Sequence, residues 1–194
     1  MIDIANMDRL ALLRAWFPEA KFVHIVRDPR DVALSFIGYR YGTSNILEVA
    51  RQWALAVGTS LRESALIGEG NYHLMRYEDL ILSPEDTLRK LCTFIDLPYS
   101  EQMLHYTKMV DDKVPQDRRD LWPLLDQKPQ RDKVNQWRTR LSPAKCAVVE
   151  DWSAPTIDTL GYERSIKGKR PLASFLWELW YFIDRGDRFK RLLK

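Results

Sequence analysis

The stretch Lys21–Ser35, KFVHIVRDPRDVALS, constrains the fold more than any other part of the chain. Lys21–Val26 is short and almost continuously apolar, the pattern of a strand buried in a parallel sheet. It stops at a charge cluster, RDPRD, and an amphipathic helical pattern resumes within four residues. Asp28 and Pro29 supply an N-cap and a first-turn proline, so a helix begins at once and runs to about Tyr39. Strand, sharp turn and helix together are the building unit of an α/β fold.

The remaining elements agree with that class. Met7–Phe17 reads as a helix with Leu10, Leu13 and Phe17 on one side, and Pro18 ends it. Ile46–Ile67 is a longer helix in which Ile46, Val49, Ala50, Trp53, Val57, Leu61 and Ala65 recur at spacings of three and four, until Gly68 and Gly70 stop it. Asn71–Tyr77, NYHLMRY, is a second strand, and Ser83-Pro84-Glu85-Asp86 opens a helix with a serine cap and acids in its first turn. The order strand–helix–helix–strand–helix implies a parallel sheet with crossover helices. From Asp111 to Asn135 the periodicity fails amid three prolines and many charges, and a loop of that length implies a task such as covering a ligand. Ser142-Pro143 begins another helix, interrupted near Pro155, and Gly161 closes the domain.

Composition narrows the classes. A chain of 194 residues is one domain by size, with a main unit over 1–164 and a tail over 165–194. Residues 164–194 hold nine Lys or Arg against three acids, so a net charge of +3 leaves the rest of the chain at −3. A mildly acidic body does not fit a general nucleic-acid binder, which needs a basic face on the domain itself. Three dispersed histidines and two distant cysteines offer no metal-ligand spacing, and a reduced cytoplasmic protein is expected. Neither a signal peptide nor a stretch of ~20 apolar residues is recognisable.

In open α/β sheets, ligands bind where strands end and helices begin, and the first turn of a helix is an anion site. Arg27 leaves the last strand position, where its guanidinium can grip a phosphate, and Ser35 lies eight residues on, where a hydroxyl can reach the same anion. The plainer explanation is that Arg27 pairs with a nearby acid. Asp28 and Asp31 cannot bind phosphate; they orient Arg27 or Arg30, or cap the helix. Trp53, Trp137 and His24, each in an apolar setting, read as packing residues.

The segment FPEAKFVHIVRDPRDVALS resembles the 3′-phosphate-binding segment of the sulfotransferase family, enzymes that use 3′-phosphoadenosine 5′-phosphosulfate (PAPS). The resemblance implies that Arg27 and Ser35 hold the 3′-phosphate. MRYEDLILSPEDTLRKLCTFIDLP resembles the family's second strand-to-helix segment, which would put Tyr77 near the adenine. KPQRDKVNQWRTRLSP resembles its late basic loop, with Trp137 as anchor and Arg131, or alternatively Lys133, toward the nucleotide. The fold so implied is a three-layer, P-loop-NTPase-like parallel sheet flanked by helices and incomplete at the N-terminus, with PAPS as co-substrate and no metal.

The family's upstream phosphosulfate loop, Lys-x-Gly-Thr-Thr or a relative, has no counterpart in these residues, and neither does a general base. The catalytic residues are therefore unassigned, and a sulfotransferase fragment stands beside a non-catalytic nucleotide-binding or scaffold domain. The acceptor, an alcohol or amine, is not legible. In the tail, Leu172, Phe175, Leu176, Leu179, Trp180 and Ile183 recur at helical spacing ahead of a basic cluster. Such a helix docks on its own domain or on the missing N-terminal part, or lies on an anionic membrane, and docking is the favoured expectation.

Overall fold

The computed structural model describes residues 10–37, 45–68, 70–109 and 129–165, together with Leu172, Phe175, Leu176 and Leu179. In chain order it contains α1 (Leu10–Trp16), β1 (Phe22–Val26), α2 (Pro29–Ile37), α3 (Ile46–Ile67), β2 (Tyr72–Arg76), α4 (Tyr77–Leu82) and α5 (Pro84–Phe94). Two 3₁₀ segments follow, Glu101–Met109 and Arg131–Lys133, and then α6 (Trp137–Arg140), α7 (Pro143–Ser153) and α8 (Thr156–Thr159). The expected loop over 111–135 falls mostly outside the described residues, which resume at 129.

The two strands pair in parallel, with Phe22 opposite Tyr72 and Val26 opposite Arg76. The crossover between them runs through α2 and α3, as the element order requires. The α/β class therefore holds as a helix-rich domain around a small parallel sheet. Side chains alternate across the sheet: on one face His24 meets Ser60 of α3, and on the other His73 stacks on Phe94 of α5 with ring centres 5.1 Å apart. Met75 is buried on that second face, whereas Val23 and Ile25 of β1 are 41% and 52% exposed there.

Helix α3 is the spine of the core. Asn45 caps it by accepting the Leu47 N–H at 3.0 Å, and Gly68, at φ 88°, ends it in a conformation that favours glycine. Its stripe of Val49, Ala50, Trp53 and Val57 packs on Val148 and Val149 of α7 and on Val32 and Ala33 of α2. Arg14 of α1 donates to the Ile67 carbonyl at 2.6 Å, tying the first helix to the end of this spine.

Three details differ from the sequence pattern. Tyr77 is not the end of a strand but the first residue of α4, so its ring leaves the sheet at the strand's mouth. The Ser83 side chain makes no capping bond to α5; its carbonyl instead accepts the Thr87 hydroxyl at 2.8 Å. Phe17 is 58% exposed, whereas Leu10 is buried. In the tail, Leu172, Phe175, Leu176 and Leu179 carry helical backbone and are 48–74% exposed, while Trp180 and Ile183 of the expected stripe lie outside the described residues. Ser165, where the tail was expected to begin, is tied to the domain by bonds from its N–H and hydroxyl to Glu150 at 2.9 and 2.6 Å.

Candidate anion-binding site

The four charged residues of RDPRD take three different roles. Arg30 points inward. Its Nε and Nη2 donate to the two carboxylate oxygens of Asp28 at 2.9 and 2.7 Å, and its Nη1 donates to Glu150 at 2.7 Å and to the Glu163 carbonyl at 2.9 Å. Burial pulls the Arg30 pKa down, but Asp28 and Glu150 more than offset this and hold it above its ordinary value. Arg30 is thus a buried hub with its donors engaged by the fold.

Asp28 and Asp31 organise backbone. Asp28 accepts the Arg30 N–H at 2.8 Å, capping α2. Asp31, 1% exposed, accepts the N–H groups of Asn135 at 2.7 Å and Trp137 at 2.9 Å. Burial raises the Asp31 pKa, against the two backbone donors and Arg27, which lower it. Both carboxylates occupy the first turn of α2, so an anion reading rests on the Arg27 side chain rather than on a bare helix end.

Arg27 is the outward-facing member. Its Nη2 donates to the Lys133 carbonyl at 2.7 Å, and its guanidinium lies over the Tyr77 ring at 4.6 Å. Its Nε is buried, with no hydrogen-bond partner among the described residues. A buried donor without a partner is costly, and a phosphate oxygen is the acceptor that suits it. Arg27, Tyr77 and Lys133, drawn from three distant parts of the sequence, therefore meet at the mouth of the sheet, Lys133 through its main chain.

The other two candidates lie apart. Arg131 is exposed and donates to the Leu82 carbonyl at 2.9 Å, beside the end of α4. Ser35 is exposed on α2, and among the described residues no hydrogen bond links it to Arg27. The packing roles read for Trp53 and Trp137 hold: they are 1% and 3% exposed. His24, 7% exposed, shares a 2.5 Å hydrogen bond with the Tyr72 hydroxyl through Nδ1, and burial lowers its pKa to about 4, as suits a core residue.

Two acids escaped notice in the sequence. Glu78 accepts the Asp28 N–H at 2.9 Å through Oε1 and the Tyr162 hydroxyl at 2.9 Å through Oε2, while burial and then Glu78 raise the Tyr162 pKa. Glu150 closes the Arg30 network from α7. The one available signal was an acid within an apolar stripe: Glu150 falls four residues after Cys146, on the buried side of its helix.

The sequence profile of the sulfotransferase family matches residues 3–101, just over half of the chain. The chain belongs to the sulfotransferase family. Among curated sulfotransferases, protein-tyrosine sulfotransferase A of Caenorhabditis elegans is 26% identical over 113 residues, 56% of this chain and 30% of that protein. Human carbohydrate sulfotransferase 2 is 26% identical over 196 residues, 79% of this chain and 37% of that protein. The chain thus spans well under two thirds of both relatives. The solved sulfotransferase domain from the olefin synthase of Synechococcus PCC 7002 superposes with a TM-score of 0.65 at 22% identity, covering 83% of this chain and 55% of that one. That likeness shows a sulfotransferase-domain fold. The structure describes most of the matched region, including Arg27 and Tyr77, whereas Arg131 and Lys133 lie beyond it.

Proposed function

We propose that this chain carries the 3′-phosphate side of a PAPS site, in a protein that moves a sulfuryl group from PAPS to a hydroxyl or amine acceptor. The observation that carries this reading is the Arg27 guanidinium, set over Tyr77 at the end of β1, with a buried Nε that has no partner among the described residues. Arg27 would bind the 3′-phosphate, with the Ser35 hydroxyl turning toward it on binding. Tyr77 would face the adenine, and the 131–133 turn would flank the nucleotide through Arg131 or Lys133. PAPS supplies the activated sulfuryl group, whose bond to the 5′-phosphate breaks as the acceptor oxygen or nitrogen bonds to sulfur. No group in this chain is assigned to take the acceptor's proton.

The two strands would belong to a larger, three-layer, P-loop-like sheet. Helices α3 and α5 contact opposite faces of it, and Val23 and Ile25 leave an apolar surface on β1 for further polypeptide to cover. One relative is named for a tyrosine acceptor, whose side chain offers a hydroxyl, and this supports a hydroxyl over an amine acceptor. The tail, with its exposed apolar residues and eight basic against three acidic residues over 165–194, would lie on an anionic membrane surface of the cytoplasm. Among the described residues no helix is long and apolar enough to cross a membrane.

One observation favours a second reading. The 194 residues contain no Lys-x-Gly-Thr-Thr motif, so a domain that binds the nucleotide without chemistry is the alternative. Calorimetry with 3′,5′-ADP tests the shared part: the wild type should bind and Arg27→Ala should bind at least tenfold more weakly, about the worth of one charged hydrogen bond. Equal affinities would remove the anion role of Arg27. Release of 3′,5′-ADP from PAPS in the presence of a phenolic acceptor then separates the enzyme from the binding domain.

A further inference from the structure

The last ladder pair of the sheet is Val26 with Arg76, so the peptide bond between Arg27 and Asp28 lies beyond the sheet's own hydrogen bonding. Its two polar groups are nevertheless both engaged, by residues 26 and 50 positions away. The Trp53 indole N–H donates to the Arg27 carbonyl at 3.1 Å, and the Asp28 N–H donates to Glu78 at 2.9 Å. The carbonyl and N–H of a trans peptide point to opposite sides, so these bonds hold one planar unit from both flanks. Trp53 and Glu78 are 1% and 5% exposed, and Glu78 is itself fixed by the Tyr162 hydroxyl at 2.9 Å, with Arg76 3.9 Å away.

We propose that Trp53 and Glu78 are positioning residues for the anion grip: by clamping the Arg27–Asp28 peptide they set the direction in which the Arg27 side chain leaves the strand. This rests on the nucleotide reading given above. Holding that peptide fixes the ψ of Arg27 and the φ of Asp28, and with them the aim of the Arg27 Cα–Cβ bond. A side chain with several rotatable bonds loses less freedom on binding when its root is already held. Neither residue is placed to touch the nucleotide.

The test is a double-mutant cycle read by calorimetry with 3′,5′-ADP on the full chain. Trp53→Phe keeps the ring and removes the N–H donor. It should weaken binding about fivefold in the wild-type background and leave Arg27→Ala unaffected, since the clamp has then nothing to aim. Affinity for 5′-AMP, which lacks the 3′-phosphate, should not change. Glu78→Gln keeps a carbonyl to accept the Asp28 N–H and should bind within about twofold of wild type, whereas Glu78→Ala should not. The glutamate pair also serves if Trp53→Phe fails to fold. Equal losses in both backgrounds, equal losses for both nucleotides, or no loss at all would overturn the positioning role and reduce both residues to structural ones. Absence of wild-type binding would overturn the nucleotide reading itself, and the positioning role with it.

Discussion

The guanidinium carbon of Arg30 lies 3.6 Å from the centre of the Trp137 ring, and both side chains are buried. The same guanidinium is bonded to Asp28 and Glu150, so one residue joins the start of α2, α7 and the turn that leads into α6. Arg27, three positions earlier, meets that turn through the Lys133 carbonyl, and Asp31 through two N–H groups. The candidate site is therefore built on a charged seam most of whose members serve structure.

Replacing Arg30 with methionine should be severe. Asp28 and Glu150 would be left buried without their shared cation, and removing one partner of such a network costs about 3–5 kcal/mol. Urea denaturation at neutral pH should show it as a large drop in midpoint. Arg89→Met breaks the exposed pair with Glu85 and should leave the midpoint where it is.

Asp31→Ala should loosen the turn at 131–137 without unfolding the domain. Two backbone N–H groups lose a charged acceptor, so cleavage by trypsin at Arg131 or Lys133 should accelerate about tenfold or more. Asp31→Asn retains one good acceptor and should lie between. Cleavage rates equal to wild type in both variants would show that other contacts hold the turn.

His24 gives stability a pH dependence of known sign. Its folded pKa is about 4, below its ordinary 6.5, so the unfolded state binds the proton more tightly. Stability should be full above about pH 6.5 and fall as the pH drops toward 4, by up to about 3 kcal/mol. In His24→Leu this slope should flatten, as measured by urea midpoints at pH 7 and pH 5. An unchanged slope would assign the acid sensitivity to other groups.

The full chain should float with vesicles containing phosphatidylserine and remain unbound with neutral phosphatidylcholine. Each basic residue near such a surface contributes about 1 kcal/mol, so binding should weaken in high salt. Phe175→Asp with Leu176→Asp should abolish flotation while leaving the melting temperature unchanged, because both positions are exposed. Loss of thermal stability in that variant would mean that the stripe packs on protein.

Sequence and structure divided this protein along the range of the forces involved. Helix α3 runs from Ile46 to Ile67 as its spacing foretold, and β1 ends at Val26 just before the charge cluster, because capping, proline geometry and apolar periodicity act over a few residues. Tyr77 was misplaced by one element for the same local reason: an acidic pair after a strand carries no clear turn signal, and α4 is only six residues long. The division of labour within RDPRD was beyond local rules. Which arginine turns inward depended on Glu150, 120 residues away, and the clamp on Arg27 depended on Trp53 and Glu78. Buried charge and buried peptide groups must each find a partner, and only the packed chain decides which distant one is within reach.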